Sequence, residues 1–291
     1  MRRPATAGEA LRGLTQDRQS QPAPRRPSAV ADHLCALLDR HHQGEPAARG
    51  PVRVLFCGTA TTVATVGKPP AAVLKVHADR ARYDGEALAY ALTAPTPAVA
   101  QLLRADDDSR SLLIEHVPHP FGWHRPYAPA DLVAVVAAVH CAPAKYDPAT
   151  AAATAPLRID HLAGAPAPAW IADRSAWVDV LALCRHAHGP GHVPLGHLDL
   201  KPDHLRQRHD GTPAVLDIET IRPDITGLID LVTLPAVLRQ ASRPVRSRAL
   251  LELYQEATAR HGCHWTTNLL RTALIAYQRA TGLATLDGLA D

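Results

Sequence analysis

The sequence predicts an α+β protein of two lobes: a small antiparallel-sheet lobe carrying one long helix, then a larger, mainly helical lobe. Three observations lead there. Between residues 52 and 117, short runs rich in β-branched residues are separated by turn formers. Beyond Pro118, apolar residues recur at helical spacing in five separate stretches. One β segment, residues 193–219, interrupts those helices and contains the hairpin signal Asp210-Gly211.

Taken in order, Ser28 is placed to cap a helix over 29–42, with Val30, Leu34, Leu37 and Leu38 on one face. VRVLFCG (52–58) reads as a strand ending at Gly58, and TTVATVG (61–67) as its partner. Gly67-Lys68-Pro69-Pro70 is a turn, and AAVLKVH (71–77) a third strand. The Arg-, Glu- and Ala-rich stretch 80–93 is a helix that stops near Pro95. Residues 99–105 and 111–117 flank the turn Asp106-Asp107-Asp108-Ser109. Helices follow over 129–141, 174–187, 227–240, 245–261 and 266–284. The organisation expected is a basic tail over 1–28, a sheet lobe over 29–117 and a helical lobe over 118–291.

Composition bounds the function. The 291 residues are 46% apolar and 20% charged, which specifies a globular chain; aromatics are only 4%, so Ala, Val and Leu must build the core. No apolar run approaches the roughly 20 residues of a membrane span. The opening MRRPATAGEALRGLTQ has no apolar stretch of the kind a secretory signal needs. Five scattered cysteines, an odd number, fit reduced thiols in a cytoplasm. The net charge of +3 is uneven: residues 1–30 hold six Arg and two acids, and the remainder holds 25 basic and 26 acidic groups. The body therefore offers no electrostatic case for nucleic acid, and the Pro-, Gln- and Ser-rich tail reads as a disordered arm.

The stretch richest in chemistry is His197-Leu198-Asp199-Leu200-Lys201-Pro202-Asp203-His204, followed by Asp217-Ile218-Glu219. A hairpin between them returns a second acid toward the first. Two carboxylates at adjacent loop ends divide labour: one accepts a proton from a hydroxyl, the other holds a hard divalent cation. Lys201 is suited to neutralise a phosphate oxygen. A lone D-x-K-P is better read as a solvated surface hairpin; the second acid, after the apolar run Ala214-Val215-Leu216, favours a site. Only four of 31 basic residues are Lys, so Lys75 in the apolar strand Ala71–Val76 calls for a reason. Eleven residues on, Glu86 lies in the helix that follows.

The pattern H-x-D-x-x-x-x-(N) followed by (I/L)-D-x-E resembles the superfamily of aminoglycoside phosphotransferases, choline kinases and related small-molecule kinases, and through it the protein kinases. The resemblance runs over roughly residues 50–240. It implies a two-lobed protein-kinase-like fold, ATP and Mg²⁺ (or Mn²⁺) as cofactors, and transfer of the γ-phosphoryl group to an alcohol. It implies Asp199 as the catalytic base, His197 as the loop-shaping histidine before it, and Lys201 as a charge offset in the catalytic loop. It makes Asp217 the metal-binding aspartate, with Glu219 helping as in choline-kinase-like members. Lys75 and Glu86 resemble the ion pair that holds the α- and β-phosphates, a task for which a compact ammonium suits better than a guanidinium. Gly58, Thr61 and Thr62, in the first hairpin, resemble a nucleotide-covering loop; Glu115 and Val117 fall at the hinge that binds adenine through its backbone. Asp230, in Gly227-Leu228-Ile229-Asp230-Leu231, has two readings: a bond to the catalytic-loop backbone, or an acid in the first turn of a helix. His140, at a helix end, resembles a structural family histidine.

The sequence departs from the family at His204, which stands where the family has an Asn that ligates a second magnesium. Imidazole is softer than an amide oxygen, and Mg²⁺ prefers oxygen. Three outcomes are open: Asp203 or Glu219 supplies the oxygen, a single metal or Mn²⁺ serves, or the protein is a catalytically impaired pseudokinase-type binding module. His186, His188 and His192 beside Cys184 do not have the spacing of a closed zinc site. No G-x-x-x-x-G-K-[ST], G-x-S-x-G or H-E-x-x-H occurs. The helical lobe's acids are dispersed outside 199–230, which favours a hydroxyl acceptor other than a polycationic aminoglycoside: a small metabolite, a natural-product intermediate or a peptide Ser/Thr. The superfamily includes kinases of antibiotic resistance and of natural-product biosynthesis. The sequence leaves the oligomeric state open.

Overall fold

Buried positions on adjoining strands organise the first half of the chain. The computed structural model describes residues 27–41, 50–123, 127–142, 152, 154–222, 226–241 and 244–283. The tail expected over 1–28 lies outside the described residues but for its last two positions. The chain divides into two compact units. One holds the described residues up to Trp123 together with Leu205–Glu219; the other holds those from Tyr127 to His204 and from Thr220 onward.

The first unit is built on a five-stranded antiparallel sheet of β1 (Val52–Cys57), β2 (Thr61–Val66), β3 (Ala72–His77), β4 (Leu102–Asp106) and β5 (Ser111–Glu115), in the order β1-β2-β3-β5-β4. Helix α1 (Pro27–His41) lays Val30, Leu34, Leu37 and Leu38 on Ala64, Val66, Ala72, Leu74 and Leu113. At about 25 cal/mol per Å² of apolar surface, each such side chain stabilises by roughly 1.5–3 kcal/mol. The helix begins at Pro27, so Ser28 lies inside it and is not its cap. Proline supplies a preset φ at the first turn and lacks only an N–H that would have no helical partner. Helix α2 (Arg80–Thr93) starts at Asp79, whose carboxylate accepts the Arg82 N–H at 2.8 Å, and buries Tyr83, Glu86, Ala89, Tyr90 and Leu92. A second, three-stranded sheet joins β6 (His119–Pro120), β7 (Leu205–Gln207) and β8 (Pro213–Val215). Its hairpin turns at Asp210-Gly211: Gly211 has φ +84°, and the Asp210 side chain accepts the Thr212 N–H at 2.8 Å.

The second unit is helical: α3 (Pro129–His140), α4 (Ile159–Gly164), α5 (Arg174–His188), α6 (Leu228–Ala241), α7 (Ser247–Ala259) and α8 (Thr267–Thr281). Helix α3 packs on α7, and α5 on α8. Leu132, Val133, Val136, Leu250, Leu251 and Tyr254 are buried on the first pair. Of the β segment expected over 193–219, β7 and β8 form, but its opening residues do not form a strand: only Gly196 bridges, to Arg222. Val193 and Leu195 are buried all the same, and at Leu198 a φ of +66° turns the chain away from extension. No helix among the described residues is long and apolar enough to cross a membrane.

A titration should be visible in this unit. His192 stacks on His188 at 3.9 Å and is hemmed in by Cys184, Leu195 and Trp265. Loss of water, then the nearby His188 and His140, pulls its pKa well below the usual 6.5. The fold therefore prefers the neutral ring, whereas the unfolded chain takes a proton near 6.5. Its contribution is complete above that value and is lost as pH falls below it. The melting temperature should decline from pH 7.5 to pH 5, and less steeply in His192→Gln.

Candidate active site

In the first unit the site starts from strand periodicity. Lys75 and His77 are two residues apart on β3, so both face α2. The Lys75 ammonium is buried, 3.0 Å from the Glu86 carboxylate. It also lies 2.9 Å from Asp217 Oδ1 and 2.9 Å from Glu219 Oε2. One cation thus faces three carboxylates, drawn from α2 and from the segment after β8. Burial opposes its charge, but Glu86, Asp217 and Glu219 together outweigh burial and hold its pKa above the usual lysine range. His77 Nε2 stands 2.8 Å from Glu86 on the side away from solvent. Glu86 is thereby gripped from two positions of one strand. His77 was not anticipated, although its place two residues beyond Lys75 signalled it.

Asp217 has φ +55°, a left-handed conformation that aspartate tolerates better than most residues. Its carboxylate and that of Glu219 keep partial exposure, 41% and 28% of the side chain, while Glu86 is 1% exposed. Three carboxylates on one ammonium leave two negative charges in excess. That surplus, on oxygen donors that reach solvent, suits a hard divalent cation, so the residues present fit Mg²⁺. Elsewhere in this unit, Gly58 closes the β1–β2 turn by donating its N–H to Thr61 O at 2.9 Å, and the Thr62 hydroxyl points back to Cys57. The Glu115 carboxylate is clamped by Arg208 at 2.6 and 2.8 Å. The Glu115 N–H goes to Gln101 O, and the Val117 carbonyl accepts from Arg206 at 3.3 Å.

In the second unit the segment 196–204 is held from below. Asp230, in the first turn of α6, is fully buried. It accepts the His197 N–H at 2.6 Å, the Leu198 N–H at 3.0 Å and His140 Nε2 at 2.8 Å. The Tyr254 hydroxyl of α7 pairs with the other nitrogen of His140 at 2.9 Å. Both readings of Asp230 hold: it lies in the first turn of a helix and anchors the backbone of the segment. The left-handed Leu198 costs roughly 1–2 kcal/mol, which these bonds offset. Thr220 donates its hydroxyl to the His197 carbonyl. So held, the loop leaves Asp199 half-exposed with Lys201 Nζ 2.6 Å from its carboxylate. The ring of His204, in the one-turn helix Pro202–His204, lies 5.7 Å from that of His197, while Asp203 is exposed.

Close backbone approach makes Gly196 indispensable here. A Cβ at that position would stand 2.2 Å from the Thr226 carbonyl oxygen and 2.9 Å from Ile229 Cγ2. Gly196→Ala should cost about 1–3 kcal/mol or more, read as a lowered urea midpoint.

No protein-family model matches the sequence, and neither does any curated protein. Solved structures do. An ethanolamine kinase of Plasmodium vivax superposes with a TM-score of 0.50 at 12% identity, covering 95% of this chain and 86% of that one. A macrolide 2′-phosphotransferase of Brachybacterium faecium gives 0.49 at 21% identity over 83% of this chain and 87% of its own. A choline kinase of Streptococcus pneumoniae gives 0.45 at 12% identity over 85% and 88%. The chain has an α+β, kinase-like fold similar to that of the ethanolamine kinase.

Proposed function

We propose that this chain is an ATP-dependent phosphotransferase that moves the γ-phosphoryl group to the hydroxyl of a small-molecule, natural-product or peptide acceptor. The observation that carries the reading is the buried Lys75 ammonium shared by Glu86, Asp217 and Glu219. A lysine held charged by three acids, two of them open to solvent, supports a site made for phosphate oxygens and their counter-ion. Asp199 accepts the proton of the acceptor hydroxyl as its oxygen bonds to the γ-phosphorus and the bond to the β-phosphate oxygen breaks. Lys201, already paired with Asp199, offsets charge on the transferred group. Lys75, fixed by Glu86, orients the α- and β-phosphates. Asp217 and Glu219 would hold Mg²⁺, which supplies charge neutralisation on the β- and γ-phosphates when bound. His197 shapes the loop, and Gly58, Thr61 and Thr62 cover the nucleotide. The five free thiols suit a reducing compartment such as the cytoplasm.

The test is nucleotide binding followed by turnover. Titration of Mg-ATP should give saturable binding that Asp217→Ala abolishes; unchanged affinity in that variant would remove Asp217 from the metal site. A second reading, a nucleotide-holding shell without turnover, rests on His204 in the place of a family Asn. Turnover with Mg²⁺ and Mn²⁺, measured beside His204→Asn, separates the two: activity in the parent chain rejects the shell, and activity gained only by the variant supports it.

A further inference from the structure

Away from the residues discussed so far, the helical unit brings two cysteines and a histidine together that the sequence keeps apart. Cys141 follows α3, Cys263 lies between α7 and α8, and His188 ends α5. The two sulfurs are 3.2 Å apart, and Cys263 Sγ is 3.1 Å from His188 Nδ1. The opposite nitrogen, Nε2, is 2.8 Å from the indole nitrogen of Trp265.

That last contact decides the proton positions. An indole N–H only donates, so Nε2 of His188 must accept, and the ring proton of the neutral imidazole sits on Nδ1. Nδ1 then donates to Cys263, and Cys263 is the sulfur that gathers hydrogen bonds. As a thiol Cys263 donates to Cys141, and as a thiolate it accepts from Cys141. In keeping with this, the hydrogen bonds from Cys141 and His188 draw the Cys263 thiol below its usual range, and the same partnership pushes Cys141 up. Two cysteines and a histidine would also be the ligand types of a soft metal ion. The tautomer set by Trp265 argues against it, because the nitrogen that faces the sulfurs carries a proton and has no lone pair to give.

We propose that Cys141 and Cys263 form an oxidisable dithiol site, in which Cys263 is attacked first by a hydroperoxide-class oxidant and Cys141 resolves the product as an intramolecular disulfide. The Cys263 sulfur attacks the distal peroxide oxygen: an S–O bond forms, the O–O bond breaks, and the proximal oxygen leaves and takes a proton to depart as water or alcohol. Cys141 then attacks the sulfenic sulfur, forming the S–S bond and expelling water. The thiols lose two electrons and two protons in all, and the peroxide receives both. The sulfurs need only close from 3.2 Å to roughly 2.0 Å. A small cavity lined by Cys184, His188, His192 and Trp265 shares His188 with the pair's surroundings. Cys141 directly follows His140, the partner of Asp230, so the bridge would form at the back of the loop that bears Asp199.

The experiment uses the full chain and hydrogen peroxide, read by intact mass and peptide mapping after acid quenching. The expected result is loss of two hydrogens and a link between the peptides of Cys141 and Cys263, ahead of any change at the exposed Cys35 and Cys57. In Cys141→Ser, dimedone should trap a sulfenic acid on Cys263. Preferential oxidation of Cys35 and Cys57 with the buried pair still reduced would overturn the proposal. So would stoichiometric zinc in the purified protein that is lost in Cys263→Ser.

Discussion

Replacing Asp199 by Asn should lower phosphoryl transfer at least ~100-fold while leaving Mg-ATP affinity nearly as it was. The substitution keeps the shape of the side chain and an oxygen that accepts from Lys201, 2.6 Å away in the parent protein. It removes the negative charge and with it the capacity to take a proton. Nucleotide affinity should hold because Lys75, Glu86, Asp217 and Glu219, the groups assigned to phosphate and metal, are untouched and bound to one another. Single-turnover measurement with saturating nucleotide isolates the chemical step. Parent-level turnover in this variant would mean that another group takes the proton. A matching loss in affinity would mean that Asp199 belongs to the nucleotide site.

The parts of this protein that were legible in its sequence share one property: their signal is local. Strands β2 and β3 are short apolar and β-branched runs bounded by turn residues, and the turn at Asp210-Gly211 is written in two. All of the helices from α3 to α8 but the six-residue α4, which was not expected, follow apolar spacing, and Asp173 caps α5 by accepting from Ser175 and Ala176. The start of α1 was misplaced because Ser28 and Pro27 are both good helix-start residues, and the proline stood first. The opening of the β segment expected over 193–219 is not extended, yet burial and extension leave the same apolar run; the left-handed Leu198 is not visible in residue type. The residues of the 197–204 segment, the bond of Asp230 to its backbone and the pairing of Lys75 with Glu86 were read from the sequence, yet the partners of His140 and Cys141 were not. Tyr254 lies 114 positions from His140, and Cys263 lies 122 from Cys141. No spacing rule links single residues across such distances; only the packing of α3 on α7 brings the first pair together.

Asp230 is where fold and chemistry meet, and its removal should be the most damaging single change to stability. In Asp230→Ala the N–H groups of His197 and Leu198 lose their acceptor, and His140 keeps only Tyr254. The carboxylate is fully enclosed, so water cannot replace it without opening the α6 start. Breaking one side of such a buried charged network costs about 3–5 kcal/mol, a large share of a typical domain's total. The same bonds hold Leu198 at φ +66°, so their loss lets the segment relax toward ordinary backbone and moves Asp199. Stability and turnover should therefore fall together, whereas Asp199→Asn should lower turnover alone. Asp230→Asn, which retains one carbonyl oxygen, should fall between the parent and Asp230→Ala. Urea unfolding measures the first effect, and hydrogen exchange at the His197 and Leu198 amides the second. If Asp230→Ala unfolds within about 0.5 kcal/mol of the parent, or those amides stay equally protected, the loop is fixed by something other than this carboxylate.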